Sequence, residues 1–332
     1  MSKNFYLYGM FLVLAILIIY CVYTVTGFDF LSNSKSSSIN IGDGFSPLVT
    51  KDYEHKGTQS NPLSLYADDK TIYTEMLKSI YNGEKAFYFD ASNSSSATLK
   101  ERLKKIERYY LTANQAIYPT LIGVCSYSYE YFSGSPIVQF TLGDSSASEG
   151  YKGFLKLRNY IKNDINDLYE NGTLSKKMTD KEKSMAVSNY IALNACYDSK
   201  VAESFRGPFS ISSTAGSRVH NPLGFYEGWD LVCDAYAGLY NLFMWELGIE
   251  SYIVTSQNHA WNLAYLDGKW YHSDVTYSDP VTYDRGGNIG ATLEFREEYI
   301  NLTNTQIKGI DEDHYLTKDS QHFVNTFLGL KY

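Results

Sequence analysis

The chain has 332 residues, enough for one large domain or two modest ones, with 44% hydrophobic content and a net charge of −8. That charge excludes a nucleic-acid binder, which needs a basic stripe to displace counterions. Four cysteines in a chain of this length exclude a disulfide framework. The 31 tyrosines fit either strand-rich structure or a sugar-stacking surface.

From Asn4 to Phe28 no residue is charged, and Phe5–Val25 is almost wholly apolar. A helix of about 20 apolar residues spans a bilayer's hydrocarbon core. Tyr6, Tyr8, Tyr20 and Tyr23 fall near the ends, where amphipathic rings favour the interface. No Ala-x-Ala-like exit follows, and the bulky Ile18–Ile19–Tyr20 precedes Cys21. The run therefore reads as an uncleaved signal anchor, neither a cleaved leader nor a lipoprotein signal. Lys3 before it and Asp29 after it place the N-terminus inside and the rest of the chain outside the membrane.

The next segment is rich in Ser, Asn and Gly without periodicity, a flexible tether spanning about 30 Å root-mean-square. The expected organisation is a transmembrane anchor over 1–28, a tether over 29–61, an accessory α/β segment over 62–145 and a larger domain over 146–332. A helix is expected over 68–82, with Ile72, Met76, Leu77 and Ile80 on one face and Gly83 as its stop. A second follows over 96–112, where Lys100, Arg102, Lys104, Lys105 and Arg108 read as a solvated face. Residues 124–132 and 136–142 alternate as a hairpin. Cys125 and Cys196 read as buried thiols, with a bridge between them open in an oxidising compartment. A long helix is expected over 149–170. Thr179-Asp-Lys-Glu182 is a capping box that opens another, to about Asn194.

A further helix begins near Cys233, with Tyr236, Leu239, Tyr240, Phe243, Met244 and Leu247 at helical spacing and Gly248 as its stop. Unpaired N–H groups and the positive end of the helix dipole at such a start favour a thiolate and can hold an oxyanion. Strands 252–255, 260–266 and 269–273 follow, the last two joined by Asp267-Gly268, a strong hairpin signal. With that turn, residue 259 faces 276, so Asp274 lies two positions away on the same face as His259. A carboxylate there fixes the imidazole tautomer while the other ring nitrogen serves the thiol. Each of these residues alone is commonplace; their joint placement points to chemistry. Six His and four Cys are scattered without metal-ligand spacing, so neither metal nor cofactor is expected.

The segments Val232-Cys-Asp-Ala-Tyr-Ala237, His259-Ala-Trp-Asn262 and Asp267-Gly-Lys-Trp-Tyr-His-Ser-Asp-Val-Thr-Tyr-Ser-Asp279 resemble the core motifs of the transglutaminase-like superfamily. They are similar to its bacterial papain-like branch in particular. Thr179-Asp-Lys-Glu-Lys, Tyr190 and Tyr197-Asp198 match the helix that usually precedes that core, so the resemblance covers about 175–280, with the core at 179–280. It implies an α+β fold of the papain-like/transglutaminase-like kind, a Cys-bearing helix packed on an antiparallel sheet. It also implies Cys233 as nucleophile, His259 as general base and acid, Asp274 as the group orienting His259, and Trp261 and Trp270 as packing around the site. Ala235 departs from the glycine common there, and 204–229 is longer than usual. Asn221, Tyr226 and Trp229 are candidates from that stretch for an oxyanion or substrate contact, with Trp261 beside them. The expected activity is amide or peptide hydrolysis through a thioester, on surface proteins or cell-wall peptides. Protein crosslinking by amine transfer and a non-catalytic scaffold of the same fold are the alternatives. Asn93, Asn171 and Asn301 head sequons that matter only in a eukaryotic host.

Overall fold

The computed structural model describes residues 56–82, 86–92, 98–99, 101–106, 126–131, 137–143, 145–198, 218–279 and 294–331. The apolar N-terminal run, the tether and Cys125 lie outside them. Among the described residues no helix is long and apolar enough to cross a membrane.

The fold is α+β, with two separate sheets. In the first, β1 (Leu63–Ser64) lies parallel to β2 (Ala86–Asp90), which pairs antiparallel with β4 (Ile137–Gly143); β4 in turn pairs with β3 (Ser126–Tyr131). Helix α1 (Asp69–Asn82) packs on β2 and buries Ile72 and Met76. The helical stretch 101–106 buries Leu103 and Ile106, while Lys104 and Lys105 face solvent as expected.

Arg102 corrects that solvated-face reading. Its side chain is only 16% exposed and donates to the carbonyls of Leu65 and Ala67 at 2.8 and 2.6 Å and to Asp69 Oδ1 at 2.8 Å. A guanidinium can satisfy two backbone acceptors and a carboxylate at once, so it staples this helical stretch to the turn that opens α1.

Helix α2 (Ser145–Glu170) starts one turn earlier than its periodicity suggests and buries Phe154, Leu157, Ile161, Ile165 and Leu168. Helix α3 (Asp180–Asn194) opens with the capping box, Thr179 accepting from the Glu182 N–H and Glu182 from the Thr179 N–H. A one-turn helix α4 (Gly224–Glu227) leads to α5 (Cys233–Glu246), the hub of the domain. Every residue from Cys233 to Trp245 is buried, because α5 is surrounded by α2, α3, β5 and β6.

The second sheet has the order β5 (Ser251–Thr255), β6 (Ala260–Leu266), β7 (Lys269–Ser273). Asp267 and Gly268 both take positive φ, 50° and 84°, the type I′ geometry that a two-residue hairpin requires. Pairs such as Ala264 with Tyr271 and Asn262 with Ser273 fix the expected register. Asp267 Oδ1 also accepts from the Asp180 N–H at 2.9 Å, so the turn caps the start of α3.

After β7 come α6 (Val275–Ser278), α7 (Asn304–Lys308) and α8 (Lys318–Phe327). All described residues belong to one compact unit, in which α8 packs on α1. Asn301, at φ 60°, accepts from Ser184 Oγ at 2.7 Å and donates to the Lys181 carbonyl at 3.1 Å. Its amide is thus part of an internal network rather than a surface sequon. Cys196 is buried, as expected.

Replacing Arg102 with Met keeps the apolar stem but leaves two backbone carbonyls without their donor. Urea unfolding is expected to show a loss of about 2 kcal/mol; a change within about 0.5 kcal/mol, the level of ordinary surface substitutions, would show that solvent replaces these bonds.

Candidate functional site

Cys233 is the first residue of α5. Val232 before it is extended and offers no side-chain cap, and its carbonyl accepts from the Ala235 N–H at 3.0 Å. The Asp234 carboxylate receives its own N–H and shares that of Ala235. Burial pushes this carboxylate up, and His220, whose Nδ1 lies 2.8 Å from both its oxygens, pulls it back down. A negative charge beside a sulfur opposes a thiolate. Cys233 packs with Ala237 and Ala260, small residues that let α5 approach β6 closely.

His259 precedes β6 in a tight turn, in which its N–H donates to Ser256 Oγ at 3.1 Å and its carbonyl accepts from the Ser256 N–H at 2.9 Å. Trp261 stacks on its ring at 5.8 Å and 13°, and Tyr277 lies 5.0 Å away on centroids. His259 Nε2 meets Asp274 Oδ2 at 2.5 Å, which leaves Nδ1 for another partner, and Cys233 is near enough to raise the ring's proton affinity. The structure therefore brings Cys233, His259 and Asp274 together. Burial works against a charge on His259, but the Asp274 carboxylate, then Cys233, hold the ring well above its ordinary range.

Asp274 is wholly buried and is the N-cap of α6. Burial would raise it, yet His259, His314 and the Tyr277 N–H together hold it well below the usual carboxylate range. Oδ1 accepts from the Tyr277 N–H at 3.0 Å, and Oδ2 accepts from both His259 and His314, the latter at 2.9 Å. The Asp274 N–H donates to the Tyr299 carbonyl at 3.0 Å.

His314 has no counterpart in the sequence reading. It sits in a 3-10 turn, Glu312–His314, fully buried, with Nδ1 on Asp311 Oδ1 at 2.8 Å. His259, Asp274 and His314 have ligand atoms within 4.8 Å of one another. Their N···O separations of 2.5 and 2.9 Å are hydrogen-bond distances. Ligands about 2.0 Å from one zinc in a tetrahedron stand about 3.3 Å apart, so the cluster is a charge network rather than a coordination shell.

Tyr197 also borders the site. It forms a parallel bridge with Leu231, two residues before Cys233. Burial, then the charges of Cys233 and Asp274, push its phenol up, so it stays protonated as an O–H donor near the sulfur.

The candidates from 204–229 are spent elsewhere. Tyr226 is a correction: its hydroxyl donates to Asp164 Oδ2 at 2.7 Å and its ring stacks on Tyr160 at 4.7 Å, so it serves α2 and not the sulfur. Asn221 Oδ1 accepts from the Leu223 N–H at 2.9 Å and shapes the entry to α4. Trp229 carries the Arg218 guanidinium 4.0 Å over its ring. Trp261 is 1% exposed and gives its N–H to His272 Nδ1 at 2.9 Å, so it packs the site rather than lining an opening. Trp270 stacks on Tyr252 at 5.9 Å.

No family model and no curated protein matches the chain. Among solved structures, the crystal structure of a TGase is similar at 15% identity and a TM-score of 0.32, over 65% of this chain. The match spans 55% of that structure's own chain, little more than half its length. At that TM-score the chemistry must be argued from the residues.

His272 gives the site a pH limit. Burial pushes it down to about 4, whereas in an unfolded chain an imidazole titrates near about 6.5. Above the unfolded value neither state is charged. As pH falls from about 6.5 to about 4 the unfolded state binds the proton first, and stability declines by about 3 kcal/mol in all. His259 does not counter this. Its raised position stabilises fully below about 6.5 and is lost only as pH rises through its folded value. Asp274 adds its own loss only below about 4, as pH falls through its depressed folded value. Urea midpoints should fall across that window in the native chain and stay flatter in His272→Gln; equal slopes would assign the decline to another group.

Proposed function

We propose that the chain is a thiol acyl-transfer enzyme of the transglutaminase-like kind, acting on peptide or amide bonds and held near a membrane by its apolar N-terminal run. The observation that carries this reading is the buried His259 ring, bonded through Nε2 to Asp274 at 2.5 Å with Nδ1 left over, and influenced by Cys233 at a helix start. A carboxylate that fixes one imidazole nitrogen turns the other toward the nucleophile and stabilises the imidazolium.

In the first half-reaction Cys233 gives its proton to His259 and its sulfur attacks the amide carbon. The C–S bond forms, and the carbonyl oxygen becomes an oxyanion that the Cys233 N–H and the Tyr197 hydroxyl are suited to receive. Collapse breaks the C–N bond, and His259 passes its proton to the departing amine, leaving a thioester. His259 then takes a proton from the acceptor as it attacks and returns it to the sulfur as the C–S bond breaks, which restores the thiol.

Hydrolysis, with water as acceptor, is the leading reading, following the resemblance of the motifs to the bacterial papain-like branch. Surface proteins or cell-wall peptides are substrates within reach of a tethered domain outside the membrane. One observation favours an amine as acceptor: Cys233 and His259 are each only 5% exposed. A dry site disfavours adventitious hydrolysis of the thioester.

The test is to incubate the full-length chain, and its Cys233→Ala form, with peptide libraries and a labelled primary amine. Cleavage that depends on Cys233 identifies a hydrolase, and incorporation of the label identifies a transferase. His259→Ala and Asp274→Ala should each lower turnover at least ~100-fold. Identical traces from native chain and Cys233→Ala would leave a scaffold of the same fold and sink the enzyme reading.

A further inference from the structure

The catalytic set proposed above uses His259 and Asp274 but leaves a second buried imidazole unexplained. His314 is 0% exposed, and each of its ring nitrogens faces a carboxylate oxygen, Asp311 Oδ1 at 2.8 Å and Asp274 Oδ2 at 2.9 Å. Carboxylates only accept, so both nitrogens must donate, and only the doubly protonated ring does that. The cation is shared unequally between an interior and a peripheral partner. The Asp274 side chain is 0% exposed and that of Asp311 38%.

The same Oδ2 atom receives His259. Two imidazoles thus compete for one oxygen, with the rings edge-to-face at 5.5 Å. The other groups around His314 are Trp261 at 5.2 Å and Tyr277 at 5.0 Å, whose hydroxyl donates to Asp313 at 3.3 Å. Among the described residues the basic groups near the ring are His259 and His272, and the carboxylates that meet its nitrogens are Asp274 and Asp311.

We propose that His314, held by Asp311, is a positioning residue for the Cys233 chemistry: a cationic clamp that fixes Asp274 Oδ2 and limits the pull of that carboxylate on His259. The inference rests on the acyl-transfer reading of Cys233, His259 and Asp274 and deepens it. Full, unshared attraction to a buried carboxylate would hold the proton on His259 too firmly for it to be passed to a leaving amine. Division of the carboxylate between two cations loosens that hold. It also prevents rotation of Asp274, because Oδ1 is taken by the Tyr277 N–H and Oδ2 by two rings.

The readouts are the pH profile of Cys233 carboxymethylation by iodoacetate, mapped by peptide mass spectrometry, and the His259 titration followed by ring nitrogen NMR. Both use the full-length chain. His314→Gln keeps an N–H donor for Asp274 and removes the charge. It is expected to move the basic limb of the profile and the His259 titration upward by about one pH unit. Asp311→Asn, at the half-exposed end, keeps the fold and moves both in the same direction by less. Asp311 reaches Asp274 Oδ2 through His314, so in the His259 titration the double variant should match His314→Gln alone. A purely structural role would lower stability and leave both profiles in place; superimposable titrations of native chain, His314→Gln and Asp311→Asn overturn the clamp. The two readings fail separately. If native Cys233 carboxymethylates no faster at low pH than Cys196, the acyl-transfer reading falls, whereas the clamp is judged on whether His259 still moves in the variants.

Discussion

A carboxylate with no access to solvent is among the costliest groups a fold can hold, and Asp274 is such a group. It persists because three donors from three parts of the chain converge on it. These are the imidazole of the turn before β6, the N–H at the first turn of α6, and the imidazole of a 3-10 turn far along the chain. Each donor is itself held from behind, His259 by its Ser256 turn and Trp261, His314 by Asp311. Removing one partner from such a group exposes the full desolvation cost, so geometry around it is rigid by necessity. That rigidity is what a thiol–imidazole pair needs, since catalytic groups must be held to within a fraction of an ångström.

The same logic extends outward through neutral groups. His272 accepts the Trp261 N–H on Nδ1 and faces Asn304 Oδ1 through Nε2 at 2.8 Å, which fixes it as the neutral Nε2–H tautomer. Trp261, pinned in this way, presents a flat face to His259. Tyr236 donates to Asp279 Oδ2 at 2.5 Å, tying the second turn of α5 to the segment that follows α6. The helix bearing Cys233 and the hairpin that follows His259 are thereby joined through buried polar contacts as well as through apolar packing.

Much of this was legible in the sequence where the determinant is local. Period-2 alternation and Asp267-Gly268 set the hairpin register, and the register brings His259 and Asp274 to one face. Helical spacing from Tyr236 to Leu247, with Gly248 after it, placed Cys233 at a helix start. Thr179 and Glu182 announced their own cap. What was illegible is what depends on segments far apart in the chain. His314 lies 40 positions from Asp274 and belongs to a one-turn element with no periodicity. Arg102 looked like one more charge on a basic face, and only the carbonyls of Leu65 and Ala67, 37 and 35 positions away, draw it inward. Tyr226 lay near the cysteine in sequence, yet its partner Asp164 is 62 positions away on α2.

The position of the clamp along the chain has a consequence for synthesis. Cys233, His259 and Asp274 leave the ribosome well before Tyr299, Leu302 and His314, the residues that close over Asp274 and its neighbour His272. A nascent chain that ended at α6 would hold the thiol and its imidazole but not the second imidazole that steadies the carboxylate between them. Domains fold as cooperative units once their last contributing segment is released. The complete arrangement around the sulfur is therefore assembled late, when the surface that surrounds it is already in place.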